Sequence, residues 1–231
     1  MVTVISLGGS LVAPDTVDEA FVRDFAALIG ALLERDAERR FVFVVGGGGP
    51  ARAWQRAYHA VAADSYSPEE ADWIGVMATR LNARLVRAVF APWCAHDVIT
   101  DPTEAPDFAV QERVLVAAGW KPGFSSDFDA VLLAEKFCAD QVINLSNIAQ
   151  VYTDDPKTNP NAAPLDTVSW EAFRALVGEE WVPGKNAPFD PVAAKRGAAL
   201  GLRVICAAGR DIQNLTMLLE GKPFKGTVIG P

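Results

Sequence analysis

The chain has 231 residues, half of them hydrophobic, with a net charge of −8 and three cysteines. That length suits one large domain, or two tightly joined lobes, with a real apolar core, and an acidic field of this size disfavours DNA, RNA and anionic membranes while leaving room for a local site that holds a small phosphorylated ligand. Cys94, Cys138 and Cys206 are odd in number and widely spaced, which argues against a disulfide framework or a zinc site and fits a reducing cytoplasm.

Val2–Leu7 is a β-branched run expected to form a buried strand, and it ends in Gly8-Gly9-Ser10. This opening has neither a basic start nor a long apolar run, so neither a signal peptide nor a membrane span is expected. Residues 17–39 carry Phe21, Phe25, Leu28 and Leu32 at helical spacing. Residues 41–45 read as a second buried strand, stopped by Gly46-Gly47-Gly48-Gly49. Pro50 then suits the first turn of a helix running to about residue 63. Ser67-Pro68-Glu69-Glu70 is a helix-start signature with Ser67 as the cap, and that helix reaches about residue 90. Residues 91–112 contain Pro92, Pro102 and Pro106 and read as an irregular connection around a short strand at 97–99. A strand at 113–118 leads into Gly119-Trp120-Lys121-Pro122-Gly123-Phe124-Ser125-Ser126-Asp127. A helix to about 138 and a strand at 141–145 follow. Residues 154–161 are rich in turn formers, 169–177 form a helix and 178–188 a loop. Asp190 caps a helix ending at 201, and a strand at 203–207, a helix at 211–221 and a strand at 227–229 complete the chain. Alternation of this kind predicts an α/β fold with a mainly parallel sheet and helices on both faces.

In such sheets ligands bind beyond the carboxyl ends of the strands. Here several strands end in glycine-bearing loops, where backbone amides can approach a phosphate without a Cβ in the way. Two full clusters, after the first two strands, favour a phosphate cradle over plain turns. Better-known phosphate motifs are absent: Gly184-Lys185-Asn186 fails as a Walker loop in spacing and hydroxyl, and Gly46-x-Gly48-x-x-Ala51 lacks the acidic residue that a dinucleotide fingerprint needs. The protein-kinase motifs are also missing.

Val4-Ile5-Ser6-Leu7-Gly8-Gly9-Ser10, followed by Val44-Val45-Gly46-Gly47-Gly48-Gly49-Pro50-Ala51-Arg52, resembles the amino-acid kinase family. The segment from Asp72 to Ala83 is similar to the signature of its UMP kinase branch. So are Pro122-Gly123-Phe124-Ser125-Ser126-Asp127, Val151-Tyr152-Thr153-Asp154-Asp155-Pro156-Lys157, Asp190-Pro191-Val192-Ala193-Ala194-Lys195 and Gly226-Thr227-Val228-Ile229. The resemblance runs in order over nearly the whole chain and is nearest to the archaeal type.

It implies a three-layer αβα sandwich spanning residues 1–231, with an acceptor lobe over about 1–135 and an ATP lobe over about 136–231. It implies transfer of the γ-phosphoryl of ATP to UMP, with Mg²⁺ on the ATP, in a cytoplasmic homo-oligomer, a hexamer among UMP kinases. Carried over by position, Arg52 would hold the UMP phosphate and Asp72 the nucleoside. Gly8, Gly9, Ser10, Gly47 and Gly48 would line the phosphoryl path, with Ser125 and Ser126 near the acceptor. Asp127 would organise the catalytic groups, and Asn147, Tyr152, Asp155 and Pro156 would shape the ATP pocket. No protein metal site is implied.

The chain departs from the family at three places. Ser6 and Leu7 stand where many members carry a lysine, and Gly49 stands where the archaeal-type loop has one. Leu145-Ser146-Asn147-Ile148-Ala149-Gln150-Val151-Tyr152 replaces the usual Thr-Asn-Val-Asp-Gly-Val-Tyr ending. The remaining cationic candidates are Lys121, Lys185 and Lys195. Plainer readings stand beside these roles: Arg52, Lys121 and Lys195 as solvated side chains, Asp127 and Asp190 as helix caps, Asp154-Asp155-Pro156 as a turn, and His59, His96 and the tryptophans as surface or packing residues. A sibling kinase with another acceptor, or a weakly catalytic nucleotide-binding or anion-binding relative, is the competing function.

Overall fold

The computed structural model describes residues 2–156, 158–178 and 187–230. Its strands are β1 (Val2–Leu7), β2 (Arg40–Val45), β3 (Val114–Ala117), β4 (Gln141–Ser146), β5 (Val151–Tyr152), β6 (Pro164–Leu165), β7 (Thr167–Ser169), β8 (Arg203–Ala208) and β9 (Thr227–Gly230). Its helices are α1 (Gly9–Val12), α2 (Glu19–Arg35), α3 (Gly48–Ala62), α4 (Pro68–Val89), α5 (Ser126–Lys136), α6 (Trp170–Val177), α7 (Pro191–Ala199) and α8 (Ile212–Leu219). Among the described residues seven strands join in one sheet, in the order β3-β2-β1-β4-β8-β9-β7; β5 and β6 form a separate antiparallel pair. Every pairing in the large sheet is parallel except β8 with β9.

Strand periodicity sorts the side chains into two apolar layers. Ile5, Leu7, Phe41, Phe43 and Ile143 face the layer that holds Phe25 and Ile29 of α2, Val86 of α4 and Leu215 of α8. Val4, Val42, Val44, Val142 and Val204 face Ala130 and Leu133 of α5, Phe173 of α6 and Ala193 of α7. Helices on both faces of one sheet make the three-layer αβα sandwich.

Local chemistry sets the helix starts. Ser67 Oγ accepts from Glu70 N, and Asp190 Oδ1 accepts from Ala193 N at 2.7 Å, so both expected caps are present. Other features differ from expectation. The helix drawn over 17–39 begins after Asp18, whose carboxylate accepts from Phe21 N, and ends at Arg35. The helix placed from Pro50 starts earlier, at Gly48. Gly9–Val12 is a helical turn where a loop was expected, and β5, β6 and β7 were not foreseen. The strand placed at 97–99 reduces to a single bridge between Ile99 and Ala117. Gly184, Lys185 and Lys157 lie outside the described residues.

The parallel register brings Gly8, Gly46, Gly119 and Gly209 to one edge of the sheet, at the carboxyl ends of β1, β2, β3 and β8. That edge is where the candidate site lies.

Candidate active site

The first two strand ends are welded together by backbone. Gly46 N donates to Leu7 O at 3.0 Å, and Gly8 N donates to Leu145 O of β4 at 2.9 Å. A Cβ on Gly9 would fall inside the Gly46–Gly48 backbone, and Gly48 has φ +65°, so both positions need glycine. From behind, the buried Asn82 Nδ2 of α4 donates to Gly46 O at 2.9 Å and Gly47 O at 3.1 Å. One turn earlier on α4, Thr79 Oγ1 accepts from Gly119 N at 2.8 Å, and Arg80 Nη2 donates to Trp120 O. A single helix thus fixes the loops after β2 and β3.

Between those loops lies a cleft of about 270 Å³. Gly47, Gly48, Arg52, Asp72, Lys121, Ser125 and Ser126 all line it, together with Gln55 and Phe124. Asp72 Oδ2 accepts from Gly123 N at 3.1 Å, which ties α4 to the far wall. Arg52 is exposed and donates to Pro14 O at a long 3.4 Å, so its guanidinium is lightly held. Lys121 is also exposed, with Nζ 3.8 Å from the centre of the Trp120 ring. Two exposed cations and a glycine turn on one cleft suit an anionic ligand.

Gly49, where the archaeal-type loop carries lysine, leaves no room for one. A Cβ there would overlap the Pro14 carbonyl, and Gly49 N donates to Ala13 O at 2.8 Å. The turn at residues 13–15 occupies the space.

Beside the cleft a polar row crosses the sheet. Ser6 of β1 is in register with Asn144 of β4, and Asn144 with Cys206 of β8, on the face covered by α5 and α7. Ser6 Oγ donates to Asp127 Oδ1 at 2.9 Å, and Asp190 N donates to Asp127 Oδ2 at 3.1 Å. Asp127 is therefore not the cap of α5; Ser125 is, its Oγ accepting from Phe128 N at 3.2 Å. Asp127 keeps some open surface, but its carboxyl is enclosed. Burial, helped by the charge of Asp190, raises it to about 6 against the pull of its two hydrogen bonds. Burial also raises Asp190, and it pushes the Cys206 thiol up to about 12, which makes that thiol inert. Asp129 sits deeper. It is fully buried, accepts from Trp120 N at 3.1 Å through Oδ2 and leaves Oδ1 without a partner. Burial, then the charges of Asp127 and Asp101, raise it to about 7. The two carboxylates of the Asp127-Phe128-Asp129 segment are thus distinct: one is held by Ser6 and the Asp190 amide at the strand ends and one supports the loop before α5.

A second cleft, of about 500 Å³, is lined by Ile148, Gln150, Tyr152, Asp154, Asp155, Pro156, Leu176, Val177, Ala187 and Pro188. Tyr152, Asp155 and Pro156, expected to act together, share this one cleft. Asp154 is both wall and turn former, accepting from Asp155 N and Asn159 Nδ2. Asn147 is exposed and lines neither cleft. Lys195 is exposed on α7 and also lines neither cleft. Gly8, Gly9 and Ser10 line neither wall; they form the strand-end backbone that abuts Gly46–Gly48, and Ser10 O accepts from Arg210 Nη2 at 3.4 Å. Arg210 also pairs with Asp18 at 2.5 Å.

Sequence reasoning assigned no role to Thr79, Asn82, Gln55, Gln150 or Arg210, and noted Ser6 only for the lysine it replaces. Ser6, Asn144 and Cys206 each interrupt an apolar strand one or two residues from its end, which is a readable signal. Thr79 and Asn82 stand three apart on one helix face. His96, read as a plain packing residue, holds Glu112 through Nδ1 at 2.5 Å. Glu112 is buried and also accepts from Ala95, His96 and Ala109 N, so it staples the irregular connection.

The Amino acid kinase family model matches residues 1–207. The uridylate kinase of Methanospirillum hungatei is 34% identical over 227 residues, 98% of this chain and 93% of that protein. That of Thermococcus sibiricus is 32% identical over 231 residues, 99% of each. Among solved structures, the uridylate kinase from Archaeoglobus fulgidus matches with a TM-score of 0.83 at 33% identity, over the whole of both chains. The aspartate kinase from Synechocystis shares the fold, with a TM-score of 0.72 at 16% identity over all of this chain and 40% of that one. Matched by the model over 207 of its 231 residues and alike to its relatives from end to end, the chain belongs to the amino acid kinase family.

Proposed function

We propose that the chain transfers the γ-phosphoryl group of MgATP to UMP, giving ADP and UDP. One observation carries this reading: the cleft lined by cations and glycines and the apolar-walled cleft both line a chain 32–34% identical, nearly end to end, to uridylate kinases. Phosphoryl transfer asks a protein for positioning and charge neutralisation more than for a nucleophile.

UMP would occupy the first cleft. Arg52 grips its phosphate through a charge-assisted bidentate contact, and Asp72, Ser125 and Ser126 orient the nucleoside side. ATP would occupy the second, walled by Tyr152, Asp155 and Pro156. Its γ-phosphoryl would pass the backbone of Gly8, Gly9, Ser10, Gly47 and Gly48, where amides other than that of Gly8, which is held by Leu145 O, would stabilise the moving charge. Asp127 holds the geometry at the crossing, and Lys121 supplies the charge that the missing lysines do not. Lys195 is the reserve cation.

Among the described residues no three His, Cys, Asp or Glu side chains cluster as a metal cage. A Mg²⁺ carried in on the phosphates would need only one or two protein carboxylates beside the substrate oxygens, and Asp127, whose oxygens accept from Ser6 Oγ and Asp190 N, is the carboxylate that would supply one. When bound, the ion neutralises phosphate charge. The exposed Trp54 and Val61 of α3 and Met77 and Leu81 of α4 offer apolar surface for a homo-oligomer. Three free cysteines, two of them buried, suit a cytoplasmic enzyme of pyrimidine nucleotide supply.

Thermal shift with each nucleotide, followed by ADP release, tests the reading. Stabilisation by both UMP and MgATP with UMP-dependent ADP release is the expected result. Stabilisation without turnover leaves only a nucleotide-binding protein.

A further inference from the structure

Gln150 stands where the resembling motif has glycine, and it is a polar side chain only 6% exposed on the wall of the second cleft. Its amide nitrogen is fully used: Nε2 donates to Asp166 Oδ1 at 2.9 Å and to Gly226 O at 3.2 Å. Both partners only accept, so a flipped amide would set oxygen against two oxygens, and the orientation is fixed by chemistry. The chain around it is equally fixed, since Val151 N donates to Thr227 Oγ1 at 2.8 Å and Thr227 Oγ1 donates to Leu165 O at 2.5 Å. Oε1 is left with no donor among the described residues. It is not a sealed orphan either: among the described residues the side-chain atoms that are both sealed and unpartnered are Arg80 Nε and Asp129 Oδ1. Oε1 therefore keeps an open side, and Gln150 is one of the residues that line the cleft. Ile148, Tyr152, Leu176 and Pro188 give the cleft apolar and aromatic wall that suits a flat heterocycle, with Asp154 and Asp155 also on its lining.

We propose that Gln150 selects the base of the phosphoryl donor, its held Oε1 accepting a hydrogen bond from the exocyclic amino group of a 6-aminopurine. This rests on the reading of that cleft as the donor nucleotide's. A rigid acceptor rewards a donor at the purine 6-position, gains nothing from hydrogen there and opposes a carbonyl, because the oxygen cannot rotate away.

The test is calorimetric binding of ATP, purine riboside triphosphate and inosine triphosphate to the full chain, as wild type, Gln150→Leu, Gln150→Met and Tyr152→Ala. The methionine variant fills a similar volume, should the leucine variant fail to fold. The wild type binds ATP about threefold to tenfold tighter than purine riboside triphosphate, the range for one neutral hydrogen bond, and inosine triphosphate more weakly still. In whichever Gln150 variant folds, ATP and purine riboside triphosphate bind within about twofold of each other. Equal wild-type affinities, or a preference that persists without Gln150, overturn the proposal while Tyr152→Ala still weakens ATP. If Tyr152→Ala leaves ATP binding untouched, the donor cleft itself is misassigned and the proposal falls with it.

Discussion

Asp127 and Asp129 are two residues apart and do opposite things. Asp127, raised to about 6 by burial, is bridged by Ser6 and the Asp190 amide at the sheet edge. If its ionised form organises transfer, the rate falls on the acid side near that value. Ser6→Ala removes a bond that lowers the pKa, so the acid limb of the kcat profile moves to higher pH; an unmoved limb separates Asp127 from the chemistry. Asp127→Asn keeps the shape and removes the charge, and turnover is expected to drop by at least tenfold with the melting temperature nearly unchanged. Since Ser125 and not Asp127 caps α5, no capping role competes for that result. Asp129 is the structural counterpart. Its folded value of about 7 lies above the unfolded 3.8, so the stability it lends is present below about pH 4 and is lost as pH rises through 7. Asp129→Asn stays neutral and can still accept from Trp120 N. It is expected to remove on the order of 2–3 kcal/mol of pH dependence between pH 5 and 8. Denaturant melts at the two pH values check this, and an unchanged difference assigns the pH dependence to other groups.

The element that decides how this chain handles the moving charge is the turn at residues 13–15. It sits on Gly49, so the position has no room for a side chain, and Gly49→Ala is expected to cost about 1–3 kcal/mol by overpacking. An alanine variant as stable as the wild type means that the turn lifts easily. With that lysine excluded, the cations on the cleft are Arg52 of α3 and Lys121 of the loop after β3. Arg52→Ala is expected to raise the KM for UMP about tenfold to a hundredfold while the KM for ATP barely changes, matching loss of a charge-assisted contact. Lys121→Met is expected to cut kcat tenfold or more with stability intact. Equal effects of Arg52→Ala on both substrates, or wild-type turnover in Lys121→Met, each refute that residue's role. Arg210, paired with Asp18 beside Ser10, is the next cation to examine.

At the scale of the molecule, most of the sheet was legible because a parallel sheet buried on both faces demands runs rich in β-branched and aromatic residues; Phe41–Val45 is a continuous one, and Val2–Leu7 and Val142–Leu145 are broken only by Ser6 and Asn144. The glycines at their ends marked the functional edge for the same reason. The short elements were not legible. β5, β6 and β7 are two or three residues long and owe their pairing to β9 and to each other, a tertiary cause without a local pattern. Gly9–Val12 is helical because Leu11 and Val12 bury against the core, although its glycine reads as a turn. At the candidate site, residues such as Arg52 and Asp72 were singled out through the resemblance, and the structure places both on one cleft. Residues defined by geometry, such as Ser6, Asn82 and Gln150, needed the strand register and the helix face to be seen. The central claim is the acceptor, and the most direct measurement is ADP formation from MgATP with UMP, CMP, dUMP, carbamate, aspartate and N-acetylglutamate offered singly. The account predicts turnover with UMP far above every other acceptor and UDP as the product; turnover that ignores UMP and follows a carboxylate or carbamate would contradict it.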